Sequence, residues 1–284
     1  MTRRIADMLP VPEAEFAVVE RPLGLGERLY QSELARTVFV VVVLAVAWQG
    51  YGVYLDNPLL FPTLGDTAAS LWRETLSGEL PARTYSSLTT LLTGYAIGFA
   101  LAVVLSSLAM SGKLARSFLT TVTSMLNPLP AIALLPLAML WFGMGQASIL
   151  FVLVHSVLWP LALNLTTGFQ AVPPVMGMVG RNYGLTGWRY ALRILVPAAF
   201  PSILSGLKIG WAFAWRTLLA AELVFGVSSG SGGIGWFIYE RKNELDIPAV
   251  FAGLLTVIII GLLVEHLVFR VIETRTVRRW GMQN

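Results

Sequence analysis

The chain has no cysteine, so disulfides and thiolate metal sites are excluded. It has only two histidines. His155 and His266 fall in different apolar segments, with no acid at ligand spacing apart from Glu265 beside His266. Charged residues make up 13% of the 284, against about 25% in a soluble domain. The zinc-protease helix, the nucleophile elbow and the phosphate loop are all missing, as is any paired acid and base for catalysis. A membrane enzyme therefore has no candidate chemistry. Gly230–Gly235, GSGGIG, looks like a nucleotide loop. It follows a membrane segment without a strand before it, and reads as a turn or re-entrant segment.

What the chain has in abundance is apolar length. Hydrophobic residues are 56% of the sequence, and mean hydropathy is +0.70. The apolar runs recur along the whole chain, predicting an all-α polytopic membrane protein rather than a barrel or a singly anchored domain. Six spans are expected, at about 35–54, 85–110, 118–142, 148–168, 198–224 and 250–269. Pro128, Pro130 and Pro136 require the third to be kinked or to start late. Residues 1–34 form an arm broken by Pro10, Pro12 and Pro22, without the features of a cleaved signal. Residues 35–270 form the membrane domain and 271–284 a tail.

Loop charge sets the expected orientation. Arg3, Arg4, Arg21, Arg28, Lys113, Arg116, Arg181, Arg189, Arg193, Arg270, Arg275, Arg278 and Arg279 fall on one side. The opposite side has Arg73, Arg83, Arg241 and Lys242 among seven acids, Asp56, Asp66, Glu74, Glu79, Glu240, Glu244 and Asp246. Both termini and the loop at 173–193 are thus expected in the cytoplasm. The formal net charge of +4 needs no nucleic acid to explain it.

That loop is the most informative segment. A proline pair, Pro173 and Pro174, opens a helix-length apolar pattern at Val175, Met176, Val179 and Tyr183, and Gly184 and Gly187 break it. A short amphipathic helix there is either a docking element for a cytosolic partner or a surface helix held on anionic lipid by its arginines.

Its spacing resembles the EAA signature of bacterial ABC importer permeases, with Gly184, Ile194 and Pro197 at the signature intervals. Met178, Val179 and Gly180 stand where that signature has Glu-Ala-Ala, and Val196 stands where it has Leu. Asn127–Gly145, Leu195–Leu223 and the SGSGGIG segment with the apolar run after it resemble the sulfonate/taurine/nitrate group of these permeases. The resemblance implies a bacterial inner-membrane permease subunit with a coupling helix between spans four and five. It implies no cofactor in this chain, with ATP and Mg on a separate cytosolic ABC ATPase dimer. It also implies a second permease copy, most simply a homodimer, and a periplasmic or tethered solute-binding protein. The solute would be a small anion. The ATPase-coupling residues would be Val175, Met178, Val179, Gly180, Tyr183, Gly184, Ile194 and Pro197. The alternative is an ATP-independent secondary transporter or channel, for which internal repeats would be expected.

Polar residues within the spans are the candidates for the substrate path: Arg216, Glu222, His155 and Asn164. His155 and Asn164 also suit interhelical hydrogen bonds. Arg216 would line the path or form a structural pair with Glu222 or a carbonyl. The two lie six residues apart on different helix faces. Lys208 and Glu265 sit at comparable depth and form a possible pair. Gly94–Gly98 and Gly206–Gly210 are spacings that let helices approach closely.

Overall fold

The computed structural model describes residues 32–225 and 232–279, and its regular elements are all helical. The expected arm lies almost wholly outside these residues, as do Gly230 and Ser231. The chain divides into two units, residues 1–50 and 51–284. Helix α1, Glu33–Leu55, opens with Glu33 and contains an unbroken run of valine, leucine and alanine from Val40 to Ala47.

The first helix lying wholly in the second unit is the amphipathic α2, Leu64–Leu76. Its start is fixed by a capping box. The Thr63 hydroxyl accepts from the Asp66 N–H, and the Asp66 carboxylate accepts from the Thr63 N–H. Then follow α3 (Glu79–Ala109), α4 (Lys113–Leu126), a 3-10 turn (Ala131–Leu134), α5 (Leu135–Phe142) and α6 (Gln146–Ala171). The short helix α7 is Pro174–Asn182. Helix α8 runs without interruption through Gly187–Tyr190, a π-helical stretch Ala191–Leu195 and Val196–Phe225. Helix α9 is Ile234–Asn243. Helix α10, Ile247–Leu263, continues through further helical and π-helical turns to Arg278.

Among the described residues five helices are long and apolar enough to cross a membrane, and a bent pair supplies a sixth crossing if its halves count together. That pair occupies the expected third span, which the prolines required to be kinked or to start late: α4 and the segment 131–142 meet at 88°. Pro128 and Pro130 lack the N–H groups that would carry a helix through the corner.

Helix α6 is the axis of the second unit. Val152, Leu153, Val157, Leu161, Ala162 and Leu165 are buried on it, against Leu91 and Ala102 of α3 and Ala214, Leu218 and Ala221 of α8. Missing side chains permit the contact with α3. A β-carbon on Gly94 would lie 2.8 Å from Leu153 Cβ, and one on Gly98 would lie 2.8 Å from Val157 Cβ. Gly206 is equally committed, since its β-carbon would come within 2.7 Å of Asn164 Cβ. Gly210 has ordinary clearance of 3.6 Å.

The contacts also give the helix directions. Gly94 and Gly98 meet Leu153 and Val157 in the same order, so α3 and α6 run parallel. Gly168 meets Ser202 and Gly206 meets Asn164, so α8 runs antiparallel to both. Trp211 packs on Phe269, and Lys208 bonds to Glu273, so α10 runs opposite to α8. One end of the bundle thus holds Glu79, Gln146, Glu222 and Ile247. The other holds Ala109, α7, Gly187 and Arg270.

Candidate functional site

Helix α7 is built to begin and stop sharply. Pro173 caps it and Pro174 takes the first helical position, where a missing N–H costs nothing. It ends in a Schellman motif. The Leu185 N–H donates to the Gly180 carbonyl (2.8 Å) and the Gly184 N–H to the Arg181 carbonyl (2.9 Å). Gly184 sits at φ +66°, a region that β-carbons disfavour, so this glycine is required by the backbone.

Gly180 is required by packing. A β-carbon there would lie 2.6 Å from the Tyr190 ring and 3.2 Å from Ile194 Cδ1. Positions 180 and 194 of the signature-like pattern are therefore close neighbours, which clamps α7 against the start of α8. Tyr190 completes this clamp and had no signal in the sequence. Pro197 follows the π-helical stretch, where the Val196 N–H reaches back to the Ala191 carbonyl. This wider turn accommodates the donor that proline lacks. The outward side of α7 carries Val175, Met178, Val179 and Tyr183, all exposed. An apolar strip with i, i+3, i+4 spacing is thus presented on a rigid, terminated helix.

The four candidate path residues do not form one group. Arg216 and His155 line a cavity of about 510 Å³, whose far wall is the bend at Asn127–Ile132. Phe213, Trp159 and Thr217 also face it. Arg216 donates from Nε to the Ala212 carbonyl (3.0 Å), with its guanidinium 5.2 Å from the centre of the Phe213 ring. Among the described residues, neither ring nitrogen of His155 nor the indole N–H of Trp159 has a hydrogen-bond partner.

Glu222 and Asn164 lie outside this cavity. The Asn164 amide donates to the Pro160 carbonyl on its own helix (2.8 Å). Glu222 is buried and accepts from the Ser87 hydroxyl (2.7 Å) and the Gly235 N–H (2.8 Å). The Ser87 hydroxyl in turn accepts from the Ile234 N–H (2.8 Å). Of the two structural partners open to Arg216, it takes the carbonyl, while Glu222 binds the start of α9. This also accounts for part of the glycine-rich stretch. The N-terminus of α9 does receive an acidic group, as helix N-termini do, but that group is the chain's own Glu222. A β-carbon on Gly235 would lie 2.7 Å from Glu222 Cβ, and one on Gly233 would overlap the carboxylate.

Two further ionic groups tie elements together. Lys208 meets Glu265 at 3.6 Å, as its depth suggested, and reaches Glu273 at 2.7 Å. At the end of the bundle away from α7, α2, α3, α9 and the start of α10 share a network. Arg73 pairs with Asp246 (2.8 Å) and Arg83 with Glu240 (3.0 Å). Arg241 holds the buried Glu74 (3.2 Å), Glu244 (2.7 Å) and Glu79. Burial alone would lower the Arg241 pKa. Its bonds to Glu244, Glu74 and Glu79 outweigh that and raise it above the ordinary arginine value.

Comparison with known proteins agrees with this architecture. The family described as the binding-protein-dependent transport system inner membrane component matches residues 86–278. The nitrate import permease protein NrtB of Synechocystis sp. is 29% identical over 84% of this chain and 88% of its own length. The putative aliphatic sulfonates transport permease protein SsuC of Bacillus subtilis is 28% identical over 99% and 98%, respectively. The taurine transport system permease protein TauC of Escherichia coli is 26% identical over 80% and 82%.

Proposed function

Since the chain belongs to the family of binding-protein-dependent transport system inner membrane components, we propose that α7 is the element through which ATP hydrolysis on a partner drives it. The chain is a multi-pass inner-membrane permease subunit of an ABC importer. In this proposal a separate cytosolic ATPase dimer binds ATP and Mg, and each ATPase receives one α7. A single chain supplies one such helix, so two copies assemble about a two-fold axis. Both termini and α7 face the cytoplasm, while the Arg73–Arg241 network faces outward toward a solute-binding protein.

The observation that carries this reading is the exposed strip Val175, Met178, Val179 and Tyr183 on a helix clamped by Gly180 and stopped by Gly184. A helix lying on lipid needs an apolar face, but it needs neither a fixed stop nor a rigid seat on α8. The clamp would pass a push on α7 into α8, the helix that carries Arg216. The solute is proposed to be a small anion, supported by the names of the relatives and by Arg216 in the cavity. Co-expression with the ATPase tests the coupling. Met178→Asp should abolish ATPase copurification while the permease still inserts and folds. Undiminished copurification would remove α7 from the interface.

A further inference from the structure

The cavity beside Arg216 has a composition that narrows what it can hold. Among the described residues that line it, Arg216 is the one charged residue, and none is aspartate, glutamate or lysine. Among the described residues the guanidinium meets only the Ala212 carbonyl and the Phe213 ring. The Nε–H is used, which leaves the outer fork of the guanidinium for another acceptor. That fork is planar, permanently charged and matched to two oxygens of one headgroup. The ring nitrogens of His155 and the indole N–H of Trp159, on the opposing α6, are buried and have no partner among the described residues, so the polar group open to the cavity that carries the argument is the Arg216 fork. The Ser156 hydroxyl, by contrast, is already bonded to the Leu153 carbonyl.

The remaining wall is apolar. Pro128, Leu129, Pro130 and Ile132 come from the bend, Pro160 from α6 and Phe213 from α8. At about 510 Å³ the space is in the range of organic ligands and well above that of an inorganic ion. A bare anion would use the arginine and leave water against that wall. A zwitterion would bring an ammonium group into a lining with no carboxylate, at a desolvation cost nothing offsets.

We propose that this cavity is a transmembrane binding site for an organic oxyanion, with one acidic headgroup on an apolar body and no cationic end. The headgroup sits in the Arg216 fork. The body lies against Phe213 and the proline-rich bend. The permease then adds its own selection to that of the solute-binding protein, and Arg216 and Phe213 determine specificity within the membrane. This rests on the reading of the chain as an importer permease.

The test uses the full-length permease in nanodiscs of neutral phosphatidylcholine, with radiolabelled hexanesulfonate as probe. Binding should saturate. Unlabelled nitrate, taurine and hexyltrimethylammonium should each compete roughly tenfold or more worse than unlabelled hexanesulfonate. Arg216→Gln should weaken binding by roughly tenfold or more, with Arg216→Lys between it and wild type. Ala131→Trp, which fills the cavity without touching the charge, should also block the probe. Its inclusion keeps the test decisive if Arg216→Gln fails to fold. Equal competition by hexyltrimethylammonium would reveal amphiphile partitioning and overturn the proposal. Wild-type affinity in both Arg216→Gln and Ala131→Trp would overturn it too. ATPase copurification is measured on the same preparations. Its loss in wild type with hexanesulfonate binding intact would sink the importer reading alone. Normal copurification without saturable, Arg216-dependent binding would sink the cavity alone.

Discussion

The carboxylate of Glu222, late in α8, accepts the backbone N–H of Gly235 at 2.8 Å and is held from the other side by the Ser87 hydroxyl of α3. One buried acid thus joins two membrane helices to the start of α9. The positive end of α9 is directed at this carboxyl group inside the bundle.

Removing that acid should therefore destabilise the whole assembly of helices at this end. Glu222→Ala leaves the Gly235 N–H without its partner, which typically costs about 1–3 kcal/mol. Glu222→Gln keeps an acceptor and should cost less. Gly235→Val should be at least as damaging as Glu222→Ala, because its β-carbon would lie 2.7 Å from the Leu219 carbonyl oxygen. Thermal unfolding of the purified protein in detergent gives the ranking. A melting curve for Glu222→Ala matching wild type would contradict it.

Gly184 offers a test of the stop in α7. Its φ of +66° costs an ordinary residue about 1–2 kcal/mol. Gly184→Val should fray the end of α7 and weaken ATPase copurification, with insertion unchanged. Gly184→Asn should retain most of it, since asparagine tolerates the left-handed region. Equal behaviour of the two variants would show that backbone strain at this position is irrelevant.

The absence of native cysteine makes sidedness directly measurable. Asn182→Cys, at the end of α7, and Asn243→Cys, at the end of α9, lie at opposite ends of the bundle. In intact cells an impermeant thiol reagent should label the second and spare the first. The reverse pattern would invert the proposed orientation.

Two glycines with the same helical spacing logic should behave differently. Gly98→Val must push Val157 aside, and overpacking of this kind costs about 1–3 kcal/mol. Gly210→Ala meets nothing closer than 3.6 Å and should be neutral or slightly stabilising. Thermal unfolding again decides, and equal losses at both positions would refute the distinction.

Much of this was legible in the residues. Apolar length gave the long helices, because a bilayer core demands about twenty consecutive apolar residues. The proline pair, Gly184 and the apolar spacing gave α7 with its stop, because these are local backbone preferences. The interruption near Pro128 was visible, though its 88° angle was not. Proline removes a donor without choosing a direction. Helices α2 and α9 gave no hydropathy signal, being too short and too polar to resemble spans.

The sequence by itself determined which segments are helical membrane spans, where basic residues gather, and where α7 begins and ends. Only the tertiary structure decided that α6 is the axis, that Arg216 and His155 share a cavity, and that Glu222 belongs to Ser87 and Gly235. In a soluble helix, a polar stripe facing water marks the side that faces the core. Lipid and protein core are equally apolar, so the periodicity of α6 or α8 carries no such mark, and the rotation that brings distant polar groups together is set by how closely the facing surfaces can pack.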